Sequence, residues 1–328
     1  MKWGGYVWVG FVFVLFVALH LFWGDHGMSG DEVMRSLAGH PGSELQRAIV
    51  WDIRVPRLLT AMATGGMLAW LGMIMQTWFH NPLAGPGVLG ITSGGSLGVA
   101  LSVLLGWGLP SWLPASVGCL VALGLVGWAM KRFASPVTTL VFGLMLSYAV
   151  GAAVTILEAS ASSDALQSFV FWGMGTFGKS SLWQSWTLLG MMLVMAVWLS
   201  RRAPWLDAWS LGDQLATTMG VPAPQFRREM LLLSGIAVGW VTSICGPLAF
   251  LGLATPHVYR FFHRGRSHGA MMWGILAWGM LLAMGADLLV RGAEVTELVM
   301  RVPLNAVLAM LGAPVVVAVL WKRTVDWS

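Results

Sequence analysis

Long apolar segments separated by short polar ones extend through almost the whole of this chain. A helix of about 20 mainly apolar residues is long enough to cross a lipid bilayer. Gly246-Pro247 divides one long apolar region into two segments, the second of them short. About ten segments qualify as membrane spans: residues 6–23, 57–79, 87–106, 112–130, 137–159, 183–200, 229–246, 247–262, 269–289 and 303–321. This pattern predicts an all-α integral membrane protein with a single transmembrane domain over residues 1–328.

The composition agrees with a bilayer environment. Only 10% of the residues are charged and 57% are hydrophobic, whereas soluble domains carry about 25% charged residues. The first apolar segment is longer than a signal-peptide core and no A-x-A site follows it, so we expect it to be a span. The polar residues 24–53 after it predict a short amphipathic helix at the surface. Cys119 and Cys245 lie apart in apolar segments, which predicts neither a disulfide nor a metal site.

The distribution of charge predicts which side each loop faces. Cytoplasmic loops of membrane proteins are enriched in Lys and Arg. If the N-terminus lies in the cytoplasm, most of the 19 basic residues fall on the inner side and most of the 14 acidic residues on the outer side. Ten crossings are an even number, so the chain ends on the side on which it started. We therefore expect both termini to be cytoplasmic (N-in/C-in).

The stretch LGITSGGSLGVA, residues 89–100, is rich in small residues for an apolar helix. Small residues four positions apart lie on one helix face and let two membrane helices approach closely. Asn81-Pro82 and Pro86-Gly87 predict a non-helical approach to this stretch, and irregular backbone at membrane depth is buried or lines a water-filled route. We expect the small residues to serve helix packing or to line a translocation path: Gly90, Ser93, Gly94 and Gly98.

The sequence GMGTFGKS, residues 173–180, matches the G-x-x-x-x-G-K-[ST] pattern of phosphate-binding loops. Such a loop needs a preceding strand and a following helix in an α/β domain, and no such domain fits between the apolar segments. The charge distribution also places Lys179 on the outer side, away from cytoplasmic ATP. We expect no nucleotide to bind here.

Catalytic and ion-coupled functions find little support in the sequence. His257 in TPHVYR has no carboxylate or second ligand near it in sequence, and no catalytic cluster is visible, so we expect no enzymatic activity. His263 and His268 are interpreted as solvated residues on the inner side. The alternative transport mechanism is an ion-coupled secondary transporter of a small solute, which needs ionisable residues within spans. The candidates all lie near outer span ends: Glu158, Asp164 and Asp287.

Several blocks of the sequence together resemble the FecCD-type permeases of ABC importers, the family of vitamin B12, haem and ferric-siderophore permeases. The order and spacing of the blocks agree with that family, and they run from the second apolar segment to the last. The blocks are RVPRLLTAMATGGMLAWLGMIMQTWFHNPLAGPGVLGITSGGSLG (54–98), FWGMGTFGKSSLWQSW (171–186), LGDQLATTMGV (211–221), CGPLAFLGLATPHVYR (245–260) and VPLNAVLAMLGAP (302–314).

The resemblance implies a type II ABC importer permease in the inner (cytoplasmic) membrane. Permeases of this family are homodimers of ten-span subunits with a translocation path at the dimer axis. Two cytoplasmic ATPase subunits use ATP and Mg²⁺, so the permease itself binds no cofactor. A periplasmic or lipoprotein substrate-binding protein docks outside. The implied cargo is an iron chelate (ferric siderophore or haem) or cobalamin, and no nucleic acid is involved.

The resemblance also assigns roles to individual residues. The ATPase-coupling segment, at about 205–225, is here the largest polar cytoplasmic loop and matches the family at Leu211, Gly212, Asp213, Ala216, Gly220 and Val221. Binding-protein docking is implied for Arg54, Arg57 and Arg291 at outer span ends, because Arg makes directional contacts with carboxylates. Alternatively, these arginines anchor span ends or pair within the chain with Asp52, Asp287, Glu294 or Glu297.

The chain departs from the family pattern at both ends of the implied path. Arg301 and Asn305 stand where many relatives have Glu and Gly near the outer mouth. At the inner gate loop, residues 134–139, Pro136 and Val137 replace small polar residues. The sequence therefore assigns neither the cargo nor the inner gate.

Overall fold

The computed structural model describes residues 4–24, 27–133, 135–263, 267–295 and 302–325. Within these ranges the chain is helical and contains no β-strand. A π-helix (Ile49–Arg54) leads into the fourth α-helix, and a 3₁₀ turn (Pro86–Leu89) precedes the fifth. The α-helices are α1 (Gly4–Phe22), α2 (Gly30–Leu37), α3 (Glu44–Ala48), α4 (Val55–Trp78), α5 (Ile91–Leu104), α6 (Trp112–Arg132), α7 (Pro136–Ala159), α8 (Ser163–Gly173), α9 (Leu182–Trp209), α10 (Asp213–Thr218), α11 (Ala223–Cys245), α12 (Leu251–Phe262), α13 (His268–Val295) and α14 (Leu304–Val325).

Each of the ten predicted spans corresponds to one helix: α1, α4, α5, α6, α7, α9, α11, α12, α13 and α14. By length and composition, six helices in the described ranges could cross a membrane: Glu44–Trp78, Trp112–Arg132, Val137–Ala159, Leu182–Trp209, Ala223–Cys245 and His268–Ala293. Three apolar helices are shorter: Val7–Phe22, Ile91–Leu104 and Leu304–Val317. Helix α12 has 12 residues. The count of about ten crossings and the N-in/C-in orientation therefore stay predictions.

Helix α4 occupies the centre of the helix bundle. Nearly all of its side chains are buried, and it packs against α9, α12 and α13. Glycines make the closest of these approaches possible. A Cβ at Gly65 would lie 2.6 Å from the Cβ of Ala283 in α13, and Gly72 packs against the backbone of Gly252 in α12. Helix α4 thus meets its neighbours through small residues, as helices in membrane bundles do.

The break between α11 and α12 contains two residues with positive φ. Gly246 (φ 79°) directly follows α11, and Phe250 (φ 63°) directly precedes α12. The N–H of Ala249 donates to the side-chain oxygen of Asn305 at 2.9 Å, which holds this stretch against α14. A break was predicted here, but it is five residues long, so α12 begins at Leu251 and the predicted eighth span starts too early.

The polar segment between α1 and α4 is more structured than the single amphipathic helix expected there. Helix α2 begins with a capping box, in which the side chains of Ser29 and Glu32 each accept from the other's backbone N–H. Helix α3 continues through the π-helix into α4. Val33 and Val50 are buried together, so the segment packs against itself and the adjoining helix ends.

Helix α7 lies at the periphery of the bundle. It packs against α5, α6 and the 3₁₀ turn, where Gly143 contacts the backbone of Leu89. Most of its other side chains are exposed, including those of Val141, Met145 and Tyr148. Helix α14 likewise exposes large apolar side chains: Met310, Leu311 and Val317. The described parts of both helices therefore leave large apolar side chains uncovered.

Candidate coupling and docking sites

The predicted coupling segment folds as a short helix between two glycines with positive φ. Helix α9 ends at Trp209, Gly212 (φ 115°) precedes α10, and Gly220 (φ 89°) follows it. Residues with a Cβ rarely adopt such φ values, which explains glycine at both positions. Among the described residues, nothing lies within 4 Å of a Cβ added at either glycine. These glycines therefore turn the chain and serve no close packing.

Helix α10 and its flanking residues bury one side and expose the other. Ala216 and Val221 are buried against the bundle. Three large apolar residues of the same stretch are exposed, Leu211, Leu215 and Met219, with exposed fractions of 62%, 48% and 60%. Exposed apolar residues concentrated in so short a stretch favour an interaction surface. We call these three residues the α10 apolar strip.

One ion pair connects the coupling segment to α11, and a second connects α11 to α9. Arg227 of α11 places Nη2 2.5 Å from Oδ2 of Asp213, the first residue of α10. Arg202 of α9 donates to both carboxylate oxygens of Glu229 in α11, at 2.8 and 3.0 Å. Charge-assisted and bidentate bonds of this type are stronger than neutral ones. Helices α9, α10 and α11 therefore form one connected unit at the predicted inner end of the bundle.

A buried histidine joins the end of α9 to α13 and α4. His268, the first residue of α13, places Nδ1 2.6 Å from Oδ1 of Asp207, and its backbone N–H donates to the same oxygen. Its Nε2 lies 2.8 Å from the hydroxyl of Thr77 near the end of α4. Like His263, which was interpreted in the same way and is also 7% exposed, His268 is buried, so the interpretation of it as a solvated residue is wrong. In the sequence, only the position of His268 at the start of an apolar segment could have indicated that it is buried.

The predicted docking residue Arg57 lies at the predicted outer end of the bundle and has a partner within the chain. It donates from Nε and Nη2 to the two carboxylate oxygens of Asp287 in α13, at 2.8 and 2.9 Å. His20 Nε2 lies 3.2 Å from the same carboxylate. This is one of the in-chain pairings named as the alternative to docking. Glu297, another partner named there, and Arg301 lie outside the described residues.

Arg54 and Arg291 bind the end of α1. Arg54 donates to the carbonyl oxygen of Leu21 at 2.6 Å, and Arg291 donates to the carbonyl oxygens of His20 and Trp23. The last carbonyls of a helix lack intrahelical partners and carry partial negative charge, so cations stabilise them. Both residues are less than one-tenth exposed. Docking by these arginines stays a prediction. It requires that each guanidinium bind a carboxylate of the partner protein in addition to, or in place of, the carbonyl oxygens of α1.

The glycines of α5 lie where this helix meets its neighbours. Gly94 packs against Gly118 of α6, and Gly98 packs against the carbonyl of Pro114 in the same helix. Gly90 (φ 75°) precedes the first residue of α5. Because a side chain at these points would overlap the neighbouring backbone, close helix approach accounts for the glycines. A path-lining role stays a prediction for the predicted set: Gly90, Ser93, Gly94 and Gly98.

The segment 173–180 that matches the phosphate-loop pattern connects α8 to α9, so a helix precedes it rather than a strand. The N–H of Thr176 donates to the carbonyl oxygen of Cys245 at 2.9 Å. Ser180 accepts a hydrogen bond of 2.8 Å from the hydroxyl of Thr60 in α4. These bonds hold the segment against α4 and α11, so its polar groups bind neighbouring helices of the same chain.

Comparison with known proteins places these features in a family. The FecCD transport family matches residues 12–322 of this chain. The vitamin B12 import system permease protein BtuC of Salmonella typhi is 32% identical over 277 residues, covering 83% of each chain. The protein of the same name from Pectobacterium atrosepticum is 33% identical over 275 residues, covering 83% of this chain and 82% of the relative.

Two solved structures share the fold. One is described as a metal-chelate type ABC transporter in an inward-facing conformation; its TM-score is 0.79 at 26% identity, over 96% of this chain and 97% of that chain. PsaBC from Streptococcus pneumoniae, in complex with Fab, has a TM-score of 0.56 at 17% identity and supports the fold alone. The family match spans nearly all of the helices described above, the coupling segment among them. This chain belongs to the FecCD transport family.

Proposed function

We propose that this chain is the permease subunit of an ABC importer that carries vitamin B12 or a metal chelate inward across the inner membrane. Membership of the FecCD transport family supports transport. The names of the two BtuC relatives support vitamin B12 as cargo, and the solved metal-chelate transporter supports a chelate. Haem and ferric siderophores are the chelates that we propose to compare with vitamin B12.

The α10 apolar strip is the observation that carries this proposal. Its three side chains are exposed at the end of the bundle where charge predicts the cytoplasm, and apolar groups exposed there favour contact with a partner protein. We assign this partner as two ATPase subunits, which bind the ATP and Mg²⁺. The ion pairs Arg227–Asp213 and Arg202–Glu229 then let a push on α10 reach α9 and α11.

The exposed side of α7 supports a homodimer with a path at its axis. Tyr148, Gly151, Ala152 and Thr155 are all exposed and lie on one helix face. Small and polar residues on one face favour contact with another helix or with a water-filled path over contact with lipid. A second copy of the chain, packed against α7 and the exposed side of α14, would cover this face.

A substrate-binding protein, periplasmic or lipid-anchored, would deliver the cargo at the outer end. Arg54 and Arg291 both lie beside Gly24 there, and Arg57 binds the carboxylate of Asp287. Acidic residues of the binding protein would then compete with in-chain partners for these arginines. Electrostatic contacts of this kind act on the rate of association and on its dependence on salt.

Transport by the reconstituted complex tests the proposal. The permease and its ATPase are placed in liposomes with ATP and Mg²⁺ inside, and the binding protein is added outside with labelled cobalamin, haem or ferric siderophore. We expect ATP-dependent accumulation of one cargo class. Uptake by the permease alone, driven by an imposed ion gradient and independent of ATP, would instead support a secondary transporter.

A matched pair of variants tests the docking surface for the ATPase. Leu215→Asp places a charge in the α10 apolar strip, so we expect the ATPase to copurify less with the permease. Leu45→Asp makes the same change at a side chain that is 70% exposed and lies at the predicted outer end of the bundle, away from α10. Equal copurification in the two variants would contradict docking at α10.

A further inference from the structure

His80 lies just after α4 in a backbone conformation that residues with a Cβ seldom adopt. Its φ is 48°, in the left-handed region. Histidine occurs there more often than most residues, but the conformation is still unfavourable. Residues of this kind persist where surrounding contacts hold them, and they cluster at functional positions. The contacts of the His80 side chain show what holds it.

The imidazole of His80 reaches the coupling segment. Its Nε2 lies 2.8 Å from the carbonyl oxygen of Trp209, the last residue of α9. A carbonyl oxygen can only accept, so Nε2–H is the donor. The other ring nitrogen, Nδ1, lies 4.0 Å from Oδ1 of Asp213 at the start of α10. A single side chain thus contacts both ends of the turn that contains Gly212.

The α4–α5 loop, which begins after α4 and includes His80, is held further along by helices remote from the coupling segment. The carbonyl oxygen of Pro82 lies 2.7 Å from Nε2 of His257 in α12. Leu89, at the end of the loop, packs against Gly143 of α7. The loop therefore connects the coupling segment to α12 and to α7, the helix whose exposed face we assign to the second subunit.

We propose that His80 is a positioning residue that makes the α4–α5 loop follow the coupling segment. The inference rests on the proposed function, in which the ATPase moves α10. The His80–Trp209 hydrogen bond transmits this movement to the loop, and the loop transmits it to α12 and α7. The Asp207–His268–Thr77 contacts tie α9 to α13 and to the last turn of α4, and they bind no residue of this loop.

His80→Gly separates the contribution of the side chain from that of the backbone. Glycine adopts positive φ without steric cost, so the loop keeps access to its conformation while the imidazole contacts are lost. We expect the complex to assemble and to hydrolyse ATP, but the cargo moved per ATP to fall about fivefold, as the loss of one typical hydrogen bond implies.

Two further variants make the result specific. His80→Gln retains an N–H on a side chain long enough to approach the Trp209 carbonyl, so we expect it to recover most of the transport per ATP. His40→Gly replaces an exposed histidine of the outer segment and is the control. We expect His40→Gly to leave the transport per ATP unchanged.

A distance measurement reports the linkage itself. Spin labels at Leu83 in the loop and Thr218 in α10, both exposed, are placed in the reconstituted complex. In wild type we expect the same label-to-label distance with ADP and with ATP, because the two segments move together. In His80→Gly we expect the distance to differ between the two nucleotide states.

Wild-type transport per ATP in His80→Gly, or a label distance that stays constant in that variant, would overturn the inference. A His80→Gly complex that fails to assemble would also overturn it, because the residue would then be structural. Failure of the proposed function is seen separately, as a wild-type complex without ATP-dependent uptake.

Discussion

Arg57 of α4 and Asp287 of α13 hold each other through two parallel hydrogen bonds, although 230 positions separate them in the chain. The Asp287 side chain is 1% exposed and that of Arg57 16%. A buried charge is costly without its partner, so each of the two depends on the other. The pair fixes the start of α4 against the last part of α13, at the predicted outer end of the bundle, and His20 adds α1 to the same cluster.

Removing one member of this pair should destabilise the permease. Arg57→Gln leaves the Asp287 carboxylate buried without its main counter-charge, and we expect the free energy of unfolding to fall by about 3–5 kcal/mol. Thermal unfolding of the purified permease in detergent measures the loss. Adding Asp287→Asn should recover part of it. The control is Arg35→Gln, which breaks an exposed pair with Asp31 worth about 0–1 kcal/mol; an effect as small for Arg57→Gln would contradict the prediction.

The double variant Arg57→Gln with Asp287→Asn also tests docking of the binding protein. It removes the Arg57 charge and leaves no buried charge unpaired, so a defect in docking is separated from a defect in folding. If Arg57 meets an acidic residue of the binding protein, affinity for the reconstituted complex should fall about tenfold or more. Neutralising Arg35 and Asp31 together is the control. Wild-type affinity at low and moderate salt would leave Arg57 with a structural role only.

Leucine at Gly212 or Gly220 should disturb coupling. The surroundings of both positions are open, but a Cβ at the positive φ of Gly212 or Gly220 costs about 1–3 kcal/mol, so the turn should change and the α10 apolar strip should move. We expect weaker copurification of the ATPase or ATP hydrolysis without uptake. Gly190→Leu in α9, where the surroundings in the described structure are equally open and φ is not positive, is the control. Unchanged uptake in both variants would exclude the coupling role of these glycines.

Gly94 and Gly124 offer a matched test of close helix packing. Gly94→Ala places a Cβ 2.5 Å from the Cβ of Ala122 in α6, and we expect a loss of about 1–3 kcal/mol in stability. No described atom lies within 4 Å of a Cβ at Gly124, so Gly124→Ala should be neutral or gain up to about 1 kcal/mol from helix propensity. Thermal unfolding in detergent distinguishes the two, and equal stability of the two variants would contradict this account.

The permease alone is expected to hydrolyse no ATP. Lys179 is exposed in a segment whose neighbouring polar groups bind α4 and α11. Lys179→Ala should therefore leave assembly and ATP hydrolysis of the full complex unchanged, measured by phosphate release. Hydrolysis by the purified permease that Lys179→Ala abolishes would show that the phosphate-loop pattern is functional.

The positions of the long helices could be predicted because an apolar run is a local signal. Helix α4 spans 55–78 against the predicted 57–79, and α13 begins at 268 against 269. The start of α12 was predicted too early because it depends on contacts between distant parts of the chain. Gly246 and Phe250 adopt positive φ where this stretch meets the Asn305 side chain, and hydropathy does not report such contacts.

The site was predictable to the extent that its residues are contiguous. The coupling residues between 211 and 221 form one short helix with its flanking turns. The partner of Arg57 was one of several carboxylates, because pairing between distant helices depends on which faces meet. Nothing in the sequence near His268 indicates Asp207, and nothing near His80 indicates Trp209. Those contacts exist only once α9, α4 and α13 are packed.

Helix α4 has 24 residues and is therefore about 36 Å long. Arg57 lies in its first turn and Thr77 in its last turn, and His80 follows its end by two residues. Neighbouring helices surround it along nearly its whole length, and packing this dense leaves a buried helix little room to bend by itself. If α4 crosses the membrane as predicted, a single stiff helix joins the two faces, and the proposed binding protein and the proposed ATPase would act on opposite ends of the same piece of polypeptide.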